Sequence, residues 1–160
     1  MKYIAHRGLF EGPNPKTENN PTQIGAAWFQ GYECEIDVWY DGSRWFLGHD
    51  RPTYEINSLD WINRKSAWLH CKNLPAFHKL MELHRQQQVH AHFFWHESDL
   101  VTWTNTGYVW TYFGKPETLG PYSICVMPEM TRSFYEIAGM TNCAGFCSDY
   151  VLEIKNSRHK

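Results

Sequence analysis

The chain has 160 residues, of which 42% are hydrophobic and 16% aromatic, and its formal net charge is −2 at pH 7. This length suffices for one hydrophobic core, so we expect a single domain over residues 1–160. A charge near zero without a basic stripe disfavours a nucleic-acid partner. The sequence has no run of 18 apolar residues and no signal-peptide pattern, which predicts a cytoplasmic protein without a membrane span.

The cysteines are odd in number and lie mostly inside apolar runs, which predicts reduced, buried thiols rather than a disulfide framework. They are Cys34, Cys71, Cys125, Cys143 and Cys147. A zinc site at Cys143 and Cys147 is disfavoured, because there is no second closely spaced pair of cysteines.

Short apolar, β-branched or aromatic runs recur along the whole chain and predict eight strands. These runs cover residues 3–6, 32–39, 67–72, 92–96, 100–103, 108–112, 123–127 and 144–148. Their spacing is roughly 20 residues, against about 30 for a barrel with a helix after every strand. Several of the connections between strands are therefore expected to be loops or single turns.

Two helices are predicted between the early strands. The first has Asn20 as its cap, Pro21 in the first turn and Gly31 as its stop. The second follows the cap Asn73 and carries one apolar face, made of Leu74, Phe77, Leu80, Met81 and His84. An alternation of strand, helix, strand and helix is typical of a parallel α/β fold.

The dipeptide Asp41-Gly42 predicts a tight turn after the second strand. The chain would then return in an extended run over residues 46–49. We expect this excursion to bring His49 back towards the end of the second strand.

Glu35 and Asp37 lie two residues apart in the second predicted strand, so their side chains share one face. Paired carboxylates on one face can bind a hard cation. In an open antiparallel sheet the same alternation would merely mark the solvent face. In a barrel the carboxylates would point into the mouth, with Cys34, Ile36 and Val38 packed outward.

Taken in order, the polar motifs of the chain resemble those of the glycerophosphodiester phosphodiesterase family. The resemblance is dense over residues 4–55 and extends to the last strand. The matching motifs are His6-Arg7-Gly8, Glu18-Asn19, Glu35-Ile36-Asp37-Val38, Asp41-Gly42, His49-Asp50, Lys72 and the late segment Gly145-Phe146-Cys147-Ser148-Asp149-Tyr150.

The resemblance implies an α/β fold, a compact TIM-type (β/α)8 barrel with several crossover helices shortened or missing. It implies a metal-dependent phosphodiesterase that hydrolyses a glycerophosphodiester or a similar small alcohol or sugar phosphodiester. Two alternatives remain: a phospholipase-like lyase on the same barrel that releases a cyclic phosphate, and a catalytically silent phosphate-ester binding protein. The presence of two candidate acid/base histidines argues against the silent protein, since binding alone needs no proton transfer.

The resemblance also implies roles for particular residues. His6 and His49 would be the acid/base pair, with His6 as base and His49 as acid, and Arg7 and Lys72 would bind the phosphate. Glu18 would support the site, for example by orienting Arg7. The divalent ion, Mg²⁺ or Ca²⁺ by expectation, would be held by Glu35 and Asp37.

One position departs from the family pattern. His70 stands where a third metal-binding glutamate is common. Either His70 ligates in its place, or metal binding is weakened, or the shell is completed by Glu18, Glu97 or Glu129. An imidazole suits Zn²⁺ or Mn²⁺ better than Ca²⁺, so His70 leaves the identity of the ion open.

Overall fold

A computed structural model of the chain describes residues 1–112 and 116–158. The described strands are β1 (Lys2–Ala5), β2 (Glu33–Tyr40), β3 (Trp45–Leu47), β4 (Tyr54–Ile56), β5 (Ala67–Cys71), β6 (His92–Trp95), β7 (Val101–Trp103), β8 (Val109–Tyr112), β9 (Ser123–Val126) and β10 (Gly145–Ser148). The described α-helices are α1 (Pro21–Phe29), α2 (Leu74–Arg85), α3 (Phe134–Gly139) and α4 (Val151–Ser157). Short 3₁₀ turns span His6–Gly8, Leu59–Trp61, Pro116–Thr118 and Pro128–Met130.

The ten strands form one mixed sheet. Seven of them run parallel, in the order β6-β5-β2-β1-β10-β9-β8. Strands β3 and β4 form an antiparallel ribbon, in which β3 pairs with β2 and β4 pairs with β3. Val38 of β2 therefore has a partner on each side, Cys71 of β5 and Leu47 of β3. The turn predicted at residues 41–42 is therefore present, between β2 and β3.

The predicted TIM-type (β/α)8 barrel is wrong: the sheet is open, and the described residues contain four α-helices rather than eight. A barrel closes only when its end strands share a hydrogen-bonded ladder. Here β7 is antiparallel to β8 and occupies the edge of β8 that β9 leaves free. Among the described residues β6 forms a ladder only with β5, so no ladder joins the two ends.

The open sheet is nevertheless strongly curved, and its ends meet through side chains and one loop. The rings of Phe94 in β6 and Trp110 in β8 lie 4.6 Å apart. The backbone N–H of Asn105 donates to the carbonyl of Phe93 at 2.9 Å, and the Asn105 side-chain oxygen accepts from the Phe93 N–H at 2.7 Å. The concave face is filled by Ile4, Trp68, Phe94, Trp110, Ile124, Val126 and Cys147.

The convex face carries the helices. Cys34, Ile36 and Val38 of β2 are fully buried there in a core shared with α1 and α2. Both predicted helices are confirmed with their caps: Asn20 accepts a hydrogen bond from Thr22 N–H, and Asn73 accepts one from Ala76 N–H. The burial of this face requires the alternate side chains of β2 to point into the concave side.

Other expectations have mixed outcomes. All five cysteines are buried and unpaired, as predicted. Helices α3 and α4 and strand β4 were not predicted. The polar residues 155–160 predict a frayed tail, but α4 extends through residues 155–157; residues 159–160 lie outside the described part. None of the described helices has the length and apolar character needed to cross a membrane.

The packing between the two ends of the sheet depends on Phe94, so Phe94→Ala should lower the free energy of unfolding strongly. Phe94 is 1% exposed, and emptying such a site typically costs about 3–5 kcal/mol. Trp103→Ala is the matched control, since Trp103 in the neighbouring β7 is 69% exposed and should change the free energy of unfolding by less than about 1 kcal/mol. Urea denaturation measures both; equal effects would contradict the role of this contact.

Candidate active site

The carboxyl ends of the parallel strands surround one cavity of about 260 Å³ on the concave face. Parallel α/β proteins commonly place their sites at this end of the strands. Of the residues singled out in the sequence, the cavity is lined by His6, Arg7, Glu35, Asp37, His49, His70 and Lys72, with Glu97 on its rim. Glu18 lies behind Arg7. The structure therefore brings together residues that span the first 72 positions of the chain.

Glu35 and Asp37 are buried in the concave side, with 2% and 1% of their surfaces exposed. This rules out the interpretation of β2 as a strand with a solvent-facing polar side. His70 lies opposite Asp37 in the parallel ladder between β2 and β5. Its Nδ1 is 3.0 Å from Asp37 Oδ1 and 3.9 Å from Glu35 Oε1.

These three side chains fit a metal ion. One donor atom from each of Glu35, Asp37 and His70 lies within 4.8 Å of the other two. Asp37 Oδ1 is buried without a hydrogen-bond partner among the described residues, although His70 Nδ1 is close by. With the imidazole neutral, the short approach of His70 Nδ1 to Asp37 Oδ1 fits two ligands that share one cation, because metal ligands bind in their deprotonated form.

The remaining candidates for a third ligand are placed elsewhere. Glu18 accepts a hydrogen bond from Arg7 at 2.8 Å, and Glu129 accepts one from the Ser148 hydroxyl at 2.6 Å. Glu97 is exposed on the rim of the cavity. Of the four residues considered from the sequence, His70 is the one that joins Glu35 and Asp37.

Asp37 is surrounded by positive charge. Arg7 Nε lies 3.3 Å from Asp37 Oδ2 and Lys72 Nζ lies 3.6 Å from Asp37 Oδ1. Burial raises the pKa of Asp37, but His70, Lys72 and Arg7 outweigh burial and hold that pKa far below its usual range. Burial and the charge of Asp37 raise the pKa of Glu35. Of this pair, Asp37 is the more strongly ionised.

Asn19 is a site residue whose role the sequence did not reveal. It is fully buried, and its side chain both donates to Asp37 Oδ2 at 2.8 Å and accepts from the Asp37 N–H at 2.9 Å. Its φ of 57° is in the left-handed region, which asparagine tolerates better than most residues. Asn19 therefore fixes the carboxylate plane of Asp37.

Arg7 is held by its backbone and its side chain together. Its φ is 52°, and its N–H donates to Glu35 Oε2 at 3.0 Å. Its Nη1 donates to Glu18 at 2.8 Å, which is the contact through which the motif resemblance implies that Glu18 orients Arg7. This bond differs from the expected arrangement in one respect: Nη1 is occupied by Glu18 and the buried Nε faces Asp37, so Nη2 is the nitrogen that remains for a phosphate.

His6 is paired with Asp149, a residue 143 positions away that follows β10. His6 Nδ1 lies 2.8 Å from Asp149 Oδ1. Burial lowers the pKa of His6, but the hydrogen bond with Asp149 and the charge of Glu35 raise it by more, so that it stands above its ordinary value of 6.5. A histidine oriented by a buried carboxylate is a common arrangement for general acid/base chemistry.

His49 lies at the open side of the cavity, with its side chain 34% exposed and Nδ1 2.6 Å from Asp50 Oδ1. The backbone conformation of the preceding residue, Gly48, sets the position of His49. Gly48 has a φ of 142°, and a Cβ at this position would collide with the Arg51 carbonyl oxygen. The Gly48 carbonyl also accepts from Trp39 Nε1 at 2.6 Å. The excursion after β2 thus returns His49 to the site, as the sequence predicted.

One further histidine lines the cavity that the sequence analysis left unassigned. His96, directly after β6, packs its ring parallel to that of His70, with the centroids 4.7 Å apart. Burial and the charges of His70 and Lys72 lower the pKa of His96 to about 4. The alternation of side chains along β6 places Phe94 and His96 on the same face, and this alternation could have identified His96 from the sequence as a residue of the site.

The chain was compared with models of protein families, with curated proteins and with solved structures. None of the three comparisons found a match. The function of the chain is therefore inferred from the geometry of its site and from the motif resemblance.

Asp149→Asn should lower the pKa of His6, because the amide removes the carboxylate charge that favours the imidazolium. An NMR titration of the His6 ring measures this directly. Asp50→Asn is the matched control, since Asp50 pairs with His49 and should leave His6 unchanged.

The same pair predicts a pH dependence of stability. The pKa of His6 is higher in the folded protein than the value of 6.5 that it has in the unfolded chain. Protonated His6 therefore contributes its full stabilisation at pH values below 6.5, and this contribution is lost as the pH rises through the pKa of His6 in the folded protein. Asp149→Asn should flatten this part of the stability curve. A curve with the wild-type slope in this variant would contradict the role of Asp149.

Proposed function

We propose that the chain is a metal-dependent phosphodiesterase that hydrolyses a small phosphodiester, such as a glycerophosphodiester or a related alcohol or sugar ester. One observation carries the proposal. A cavity of about 260 Å³ combines the Glu35, Asp37 and His70 cluster with two cations, Arg7 and Lys72, and with His6 on its carboxylate partner.

The charges of the site suit a phosphodiester. Its single negative charge is spread over non-bridging oxygens, which charged donors stabilise most strongly as the charge builds up in the transition state. Lys72 is held at the cavity by its backbone N–H, which donates to the Val38 carbonyl at 2.9 Å. Arg7 and Lys72 would therefore hold the phosphate from the side of Asp37. A divalent ion held by Glu35, Asp37 and His70 would offset the charge of a non-bridging oxygen.

The two histidines divide the proton transfers. His6, oriented by Asp149, takes the proton of the attacking water as the new P–O bond forms. His49, on the open side of the cavity, gives a proton to the alcohol oxygen as the old P–O bond breaks. The products are a phosphomonoester and an alcohol, and each histidine ends in the protonation state in which the other began.

Glu35→Gln combined with Asp37→Asn should abolish hydrolysis of a chromogenic phosphodiester and its dependence on added divalent ions, because neutral amides do not offset the charge of the ion. The matched control is Glu55→Gln with Asp60→Asn, which neutralises two exposed carboxylates. Rates are measured after chelation and again after adding Mg²⁺, Ca²⁺, Mn²⁺ or Zn²⁺. Activity that survives in the first double variant would overturn the proposal.

His49→Ala should slow the reaction by about 100-fold to 10,000-fold on an ester with a poor leaving group. The loss should be much smaller on a nitrophenyl ester, whose leaving group needs no proton. His78→Ala removes an exposed histidine from α2 and is the control. Equal losses on the two esters would remove His49 from the role of acid.

Product analysis by ³¹P NMR separates the alternatives. A phosphomonoester as first product supports hydrolysis by water. A cyclic phosphate as first product would instead identify a lyase, and tight binding of the diester without turnover would identify a silent binding protein.

A further inference from the structure

The third donor of the candidate metal centre is a nitrogen. His70 Nδ1 is the ring atom nearest to both carboxylates, at 3.0 Å from Asp37 Oδ1 and 3.9 Å from Glu35 Oε1. None of the three carboxylates that could have replaced it joins the cluster: Glu18 and Glu129 bind Arg7 and Ser148, and Glu97 is exposed on the rim of the cavity. The protein thus offers two oxygen ligands and one imidazole.

The imidazole of His70 is held in place by its neighbours. Its ring lies 5.0 Å from that of Phe94, inclined by 13°, and 4.7 Å from that of His96, inclined by 8°. The His70 side chain is only 14% exposed, and the ladder between β2 and β5 sets its backbone opposite Asp37. The ring is therefore packed beside the carboxylates and cannot swing out to water without breaking these contacts.

The charge balance of the centre disfavours a hard ion. Mg²⁺ and Ca²⁺ bind through oxygen, and their affinity depends on the number of carboxylates. Here there are two, and one of them, Asp37, already lies within 3.6 Å of both Arg7 and Lys72. A neutral imidazole adds no negative charge to compensate. A first-row transition ion gains more from a nitrogen ligand and depends less on carboxylate charge.

We infer that His70 makes this centre select Mn²⁺ or Zn²⁺ over Mg²⁺ and Ca²⁺. The inference rests on the proposed function, since it concerns the ion of the same site. It replaces the expectation of Mg²⁺ or Ca²⁺ that the motif resemblance implied.

Calorimetry on the full chain, freed of metal and without substrate, tests the selection. Most nitrogen and oxygen sites bind Zn²⁺ more tightly than Mn²⁺, so the informative quantity is how the ratio of affinities changes when His70 is replaced. The ratios of Zn²⁺ and of Mn²⁺ to Mg²⁺ should each fall by about tenfold or more in His70→Glu. The neutral variant His70→Gln should lower them in the same direction and remains informative if the buried glutamate prevents folding. Circular dichroism before metal addition checks both folds.

His96→Phe is the matched control, because it keeps an aromatic ring against His70 while it removes the nitrogens of His96. Its affinity ratios should stay within about threefold of the wild type. Pulsed EPR of bound Mn²⁺ gives a second measurement: nitrogen coupling should be present in the wild type and in His96→Phe, and absent in His70→Gln.

The possible failures are distinguishable. Unchanged ratios in both His70 variants, or nitrogen coupling that persists in His70→Gln, would overturn this inference and leave the proposed phosphodiesterase intact. Coupling lost in His96→Phe alone would move the nitrogen ligand to His96 and equally overturn the assignment to His70. No binding of any of the four ions by the wild type would overturn the metal dependence in the proposed function as well.

Discussion

The buried carboxylate of Asp37 is the constraint on which the rest of the site depends. An isolated ionised carboxylate in a protein interior is very costly, so it must be paired and hydrogen-bonded. Asp37 is 1% exposed and is surrounded by Asn19, Arg7, His70 and Lys72. These partners come from the turn at the end of β1, from the loop that follows that turn, and from β5 and the residue directly after it. Satisfying the charge of Asp37 thereby brings three segments of the chain to β2.

The curvature of the sheet gives this cavity its floor. Trp110 and Phe94 fill the concave face beneath the polar residues, and the ring of His70 packs directly on Phe94. An open sheet with flat faces would leave Glu35 and Asp37 in water, where neighbouring cations affect a carboxylate weakly. Hydrophobic packing across the open ends of the sheet therefore contributes to the chemistry of the site as well as to stability.

Local patterns predicted the parts of the fold that depend on neighbouring residues. The caps Asn20 and Asn73 satisfy backbone groups within three positions of themselves, and the alternation in β2 follows from strand geometry. The prediction of a barrel was wrong because closure of the sheet depends on which strand edge β7 occupies. No pattern within residues 101–103 carries that information. The capping box of Ser133 and Glu136 was a local signal for α3 that the analysis missed.

The sequence by itself determined the alternation of β1, α1, β2, β5 and α2, and it identified Glu35 and Asp37 as a pair on one face. The tertiary structure alone decided that His70, rather than another glutamate, completes their cluster, and that Asp149 pairs with His6 across 143 positions. Periodicity and capping act over a few residues, so a sequence displays them directly. Which strands become neighbours, and in what register, depends on the packing of the whole chain.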